Sequence, residues 1–314
     1  MTFTFRPAKR ENVALLIGLA GASGSGKTYT AMRLAQGIAG DQPFVVIDTE
    51  AGRAKHYADA FKFDHGDLAP PFAPSRYADA IAAADAAKYP VIVVDSMSHE
   101  HAGEGGILDM QEAEYKRMGA REAVKMTSWI KPKGEHRRMV SRLLQVRAHL
   151  ILCFRAEEKV EMIRGADGKM EVRKKVTATG LDGWVPICEK TLPYELTASF
   201  LLLPSKPGVP LPIKLQEQHR ALFPLDKPIT EESGKRLAEW ARGGESTPLP
   251  DAEADALLAK IKDGFKRLGY DDARQRAEWT THMGTVPFLT TADPAALQPL
   301  YDALASAYKA RRSA

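Results

Sequence analysis

Gly21-Ala22-Ser23-Gly24-Ser25-Gly26-Lys27-Thr28 lies between the apolar run Val13–Leu19 and a helical pattern that opens at Lys27. It meets GxxxxGK[ST] at every fixed position, and the strand before it and the helix after it supply the context a phosphate-binding loop requires. The glycines let the backbone curl so that several N–H groups point inward, and a helix amino terminus adds partial positive charge there. In this reading the segment from Gly21 through Tyr29 holds the phosphates of ATP. Lys27 neutralises the β- and γ-phosphates, and the Thr28 hydroxyl takes a coordination position on Mg2+.

Further along, Val91-Ile-Val-Val-Asp95-Ser96 reads as a buried strand that releases Asp95 at its carboxyl end, where the magnesium of a phosphate-loop enzyme is held. Thr28 and Asp95 are thus the two candidate metal ligands. No acid follows Asp95, so a water-activating carboxylate must come from elsewhere. Val45-Val-Ile-Asp48-Thr49-Glu50 supplies a candidate, because strand ends in a doubly wound sheet gather on the ligand side. Glu50 then orients and deprotonates the attacking water; the alternative is a surface acid capping the next helix.

The surrounding pattern is that of an α/β protein with a mostly parallel sheet covered on both faces. Helices are expected over Lys27–Ala39 and Tyr77–Ala87, with further helical segments between Glu104 and Arg147. Strands are expected over Phe44–Asp48, Val91–Val94 and His149–Phe154, then over Glu195–Leu203 and Leu211–Leu215. Lys159–Arg164 and Lys169–Val176 flank Gly165-Ala166-Asp167-Gly168, a hairpin signal. A helix capped at Thr230 ends at Gly243-Gly244. Residues 1–244 therefore form a core, Glu245–Pro250 a linker, and 251–314 a small helical domain with faces built on Leu257, Leu258, Ile261, Phe265 and Leu268 and on Leu297, Leu300, Tyr301 and Leu304.

Three of these segments together resemble the RecA core: the phosphate loop, Phe44-Val-Val-Ile-Asp-Thr-Glu50, and Val91-Ile-Val-Val-Asp-Ser96. With Asp48-Thr-Glu-Ala-Gly-Arg53 and His149-Leu-Ile-Leu-Cys-Phe-Arg155, the chain looks like the phage-encoded RecA-like ATPases, among them short single-strand annealing proteins that keep only that core. The likeness covers roughly Asn12 to Gly244. It implies an ATPase that works on single-stranded DNA as a ring or filament, with Lys27, Glu50, Asp95 and Arg155 as catalytic groups. RecA ends its fourth core strand in a glutamine that senses the γ-phosphate. Arg155 stands there instead, either touching that phosphate or solvated at a strand end. Against that family the large terminal RecA domains are expected to be lacking, an expectation that favours annealing or loading over exchange between long duplexes.

Nucleic-acid contacts are expected from Arg121, Lys125, Trp129, Lys131 and Lys133, where basic groups attract phosphates and an exposed aromatic stacks on a base. A solvated helix face with Trp129 buried is the alternative. By resemblance the hairpin residues Arg173, Lys174 and Lys175 reach either DNA or a neighbour's ATP; a merely solvated hairpin is the alternative. The helical domain resembles modules appended to phage recombination proteins, implying a single-strand-binding protein as partner; it equally suits a stabilising cap.

Composition restricts the rest. A net charge of +4 over 314 residues carries no nucleic-acid signal by itself. Cys153 and Cys188 lie far apart, without metal spacing, and fit a reducing compartment. His56, His99 and His101 read as polar loop residues. Val13–Ala20 is far short of the roughly 20 apolar residues of a membrane span, and the first ten residues lack an apolar signal core, so a cytoplasmic protein of a bacterial host is expected. Two other classes share the phosphate loop: a nucleotide or small-molecule kinase, and a phage accessory ATPase with no annealing role.

Overall fold

The computed structural model describes residues 13–164, 170–175, 181, 183–243, 250–284, 288–289 and 294–313. The chain divides into two compact units, Met1–Ser246 and Thr247–Ala314. The linker expected at 245–250 lies outside the described residues except for Pro250, which opens a helix.

In the first unit the apolar runs form strands β1 (Leu16–Gly21), β2 (Phe44–Asp48), β4 (Val91–Asp95), β5 (His149–Glu158) and β9 (Ala198–Leu203), with β3 (Phe63–Asp67) and β10 (Lys206–Lys214) at the two sheet edges. Spatial order is β10-β9-β1-β5-β4-β2-β3. Every neighbouring pair on this path is parallel except β10 with β9. Strands covered on both faces must be apolar on both, which is why Val91 to Val94 are all fully buried. Alternate side chains enter opposite layers. Ile17, Leu19, Val91 and Val93 pack with helices α1 (Lys27–Ala39) and α8 (Glu231–Ala241). Leu16, Ala20, Ile92 and Val94 pack with α2 (Pro74–Ala86) and α5 (Ile130–Leu143).

Helices α1 and α8 approach at two glycines. A Cβ on Gly37 would lie 2.0 Å from the Glu231 carbonyl oxygen, and one on Gly234 would lie 2.3 Å from that of Leu34. Backbone cannot turn aside as a flexible side chain does, so both positions need hydrogen alone. Arg33 fastens the pair by donating from Nε and Nη2 to the two oxygens of Glu231, at 2.8 and 2.6 Å.

Several sequence expectations are corrected. The first strand begins at Leu16 and runs to Gly21, instead of spanning Val13–Leu19. The fifth continues past Phe154 to Glu158, where β8 (Trp184–Pro186) pairs with it antiparallel. The start of the expected Glu195–Leu203 strand is part of a helical turn, α6 (Leu192–Glu195), and the expected Leu211–Leu215 strand is the end of the longer β10. Thr230 stands at the amino end of α8 but makes no side-chain capping bond. The expected hairpin appears as β6 (Val160–Arg164) paired antiparallel with β7 (Met170–Lys174); its Gly165–Gly168 turn, Lys169 and Val176 lie outside the described residues.

The second unit comprises α9 (Pro250–Leu268), α10 (Asp272–Met283) and α11 (Pro294–Ser313). Their apolar faces meet around Ile261, Phe265, Trp279, Leu297 and Leu300, all essentially excluded from water. Asp271 caps α10 by accepting from the Arg274 N–H at 2.8 Å. Among the described residues no helix is long and apolar enough to cross a membrane.

Candidate functional site

Register brings the chemistry together. Asp48 pairs with Asp95, Asp95 with Cys153, and Gly21 with Arg155, so the carboxyl ends of β2, β4 and β1 and the extended part of β5 open into one cleft. That cleft, of about 800 Å3, is lined by the loop Gly21–Thr28 save Ser25 and by Glu50, Arg53, His56, Tyr57, Asp95, Arg155 and Ile187. A groove of about 930 Å3 lies at the opposite strand ends, lined by Val13, Pro90 and His149 among others; it holds none of these groups.

The loop has the form that phosphates require. Gly24 and Gly26 sit at φ 76° and 81°, in the left-handed region that glycine tolerates without a Cβ penalty. At Gly21 a Cβ would lie 2.4 Å from the Leu202 carbonyl oxygen. Gly26 caps α1 with no side-chain bond to the helix amides, leaving the N–H groups of the first turn to a ligand. Lys27 Nζ donates to the Ala22 carbonyl at 2.9 Å, which bends the side chain back over the loop. Thr28 Oγ1 donates to Asp95 Oδ2 at 2.5 Å. These two oxygens, side by side at the cleft floor, are hard donors of the kind magnesium takes. Burial pushes the Asp95 carboxyl up to about 6, against the Thr28 hydrogen bond that favours its charged form; a cation there would relieve the cost of that buried charge. The residues present therefore fit a magnesium–nucleoside triphosphate.

Glu50 is held in place from both sides. Asp48, itself buried, accepts the N–H groups of Glu50 and Ala54 at 2.6 and 2.8 Å and closes the turn after β2. Arg155 donates from Nη2 to Glu50 Oε1 at 2.7 Å, and Arg53 from Nη1 to Oε2 at 2.9 Å. Burial alone would raise the Glu50 carboxyl, but the hydrogen bonds and charges of Arg155 and Arg53 outweigh it and leave the group below its ordinary value. Glu50 is thus a carboxylate facing the phosphate loop, as a base or water-orienting group must be. Arg155 lines the cleft with its side chain about half exposed and pairs with Glu50.

Sequence reasoning missed Arg53, three residues beyond Glu50, although that spacing was itself a signal. It also missed Thr49, whose Oγ1 accepts the Ser96 N–H at 2.8 Å and lies 2.7 Å from His99 Nδ1, tying β2 to β4. Tyr29 does not line the cleft; its ring packs on Tyr57 and Phe61, with centroids 5.8 and 5.3 Å away. His99 and His101 lie on the short helix α3 (Ser98–Ala102), not in a loop, and His56 lines the cleft. Among the described residues no cluster of three or more His, Cys, Asp or Glu has the geometry of a metal site.

The expected nucleic-acid residues fall on two stretches, 121–133 leading into α5 and 173–175 at the end of β7. Arg121, Lys131 and Lys175 are exposed. Lys125 pairs with Glu122 at 3.3 Å, Arg173 with Glu171 at 3.1 Å and Lys174 with Glu158 at 2.6 Å. Trp129 is half-buried, with the Lys133 ammonium 5.9 Å from its ring centroid.

A glycine-rich loop between a parallel strand and its helix, a threonine and an aspartate meeting on the cleft floor, and a carboxylate opposite define a P-loop ATPase. Residues 14–185, more than half of the chain, match the AAA domain family, and the protein belongs to it. No curated protein matches the chain.

Proposed function

We propose that this ATPase is RecA-like and of phage type, and that it binds single-stranded DNA as an oligomer during recombination, by annealing strands or assisting their loading. The observation that carries the reading is the position of Glu50. The carboxylate facing the phosphate loop stands at the end of β2, while Ser96 follows Asp95 on β4, which is the arrangement of the RecA core.

For hydrolysis, Lys27 and the amides opening α1 would take the β- and γ-phosphates, and Glu50 would orient the water and accept its proton. Thr28 and Asp95 would hold magnesium, which when bound supplies positive charge against the charge developing on the phosphates. Arg155 and Arg53 keep Glu50 ionised until a phosphate competes for them.

Exposed Arg121, Lys131 and Lys175 supply sequence-independent attraction for a DNA backbone. A single-strand-binding protein is the proposed partner. The test is ATP turnover with and without oligo-dT across a salt series. Turnover should rise with DNA, and the DNA affinity should fall steeply with salt through counterion release. Turnover that ignores DNA would leave an accessory ATPase without annealing role, a reading that the pairing of Lys125, Arg173 and Lys174 with acids favours. Transfer of phosphate to a small acceptor would make it a kinase.

A further inference from the structure

A second concavity, of about 660 Å3, lies outside the nucleotide cleft between the α5 region and β8. Its size falls in the range of ligand-sized pockets, about 300–1,000 Å3. Three aliphatic side chains along it stand open to solvent, Leu108 at 41%, Met126 at 80% and Ile130 at 66% exposure. Apolar groups this open, side by side in a groove, mark an interaction surface more often than scattered single residues do. Around them stand Lys133, Arg137, Lys159 and Lys190. The walls hold two carboxylates, and both are engaged. Glu157 pairs with Lys159 at 3.4 Å, and Glu189 accepts from the Thr191 N–H at 2.6 Å.

We propose that this groove docks an acidic, apolar-studded segment of a partner protein. Lys159 faces Glu157 and Lys133 lies 3.9 Å from Glu189, so the four cations exceed the two carboxylates by two charges and leave the rim positive, which makes a negatively charged occupant complementary. An aliphatic floor suits the Leu, Ile or Phe side chains of such a segment. Nucleobases stack on aromatic faces; two rings line this groove, Trp129 and His101, and the Lys133 ammonium stands 5.9 Å from the Trp129 centroid.

The groove also abuts the nucleotide site. Ile187 lines both concavities. Its N–H donates to the Arg155 carbonyl at 2.8 Å, and its own carbonyl accepts from Ser98 Oγ at 2.7 Å. Ser98 Oγ in turn accepts the Arg155 N–H at 2.8 Å. A segment pressing on this wall is one residue from the arginine that holds Glu50.

The test uses the full chain and a fluorescein-labelled synthetic peptide, Asp-Leu-Glu-Asp-Phe-Asp-Ile-Glu, read by fluorescence anisotropy. Binding should be saturable and weaken with salt. It should drop on the order of tenfold in the double variant Lys133→Glu/Arg137→Glu, and it should fall for a peptide with serine in place of its apolar residues. Met126→Asp, at a position open enough to leave folding intact, is the second variant and should also weaken it. Absence of saturable binding, or affinity unchanged in both variants, overturns the proposal. So does displacement of the peptide by oligo-dT that binds more tightly and is lost in the same variants, since the groove would then belong to nucleic acid. The readout needs neither ATP nor DNA, so its failure is separate from failure of the recombination reading, on which it does not rest.

Discussion

Glu50 is only 17% exposed on its side chain and has two guanidinium groups against it. With its charge so secured, the catalytic role proposed for it rests on position, in the cleft that the phosphate loop lines. Glu50→Gln keeps the shape and removes the proposed base. ATP should bind that variant with affinity close to wild type, while steady-state turnover falls about 100-fold or more. Wild-type turnover would transfer the role to another carboxylate. The loop, Asp95 and Glu50 were legible in the sequence because each is fixed by residues beside it in the chain: glycines and lysine in the loop, an apolar strand before each acid. Arg53 was missed although its pairing with Glu50 is local, three residues along the chain, whereas Thr49 and Ile187 were not read because what they do depends on which strands lie together. Thr49 matters through Ser96, 47 residues away, and Ile187 through a backbone bond to Arg155.

Among the elements, α8 is held on α1 by the glycine contacts and by the Arg33–Glu231 pair. The hydrogen bond from Arg33 holds the Glu231 carboxyl below its ordinary value in the folded chain. A depressed carboxylate stabilises the fold above its unfolded pKa, and the contribution is lost as pH falls through the folded value. The gap in Tm between wild type and Glu231→Gln should therefore be widest near neutral pH. It should shrink below about pH 4.3, the ordinary glutamate value. A gap constant from pH 7 to pH 3 would show that the pair contributes through packing alone. The central strands were readable as runs of buried apolar residues. The strand Phe63-Asp-His-Gly-Asp67 was not, since an edge strand needs little burial and carries one apolar side chain in five. Nor was Trp184–Pro186, three residues long and ending in proline. Thr230 was read as a cap from residue type; the bond it would make is absent.

For the whole molecule, every residue placed at the nucleotide cleft lies before Ser246, within the first unit, and the apolar helix faces of the second unit close on one another. A chain ended after Gly244 should remain folded and bind ATP, as circular dichroism and nucleotide titration would show. Insoluble or nucleotide-dead protein would mean that the helices complete the core. The central claim, that Gly21–Thr28 is the seat of nucleotide binding, is tested most directly by calorimetric titration of Mg–ATP into the wild-type chain and into Lys27→Ala. Wild type should take up one ATP per chain and the variant none that can be measured, because the substitution removes the loop's only side-chain cation. Equal affinity in the two proteins would contradict the account.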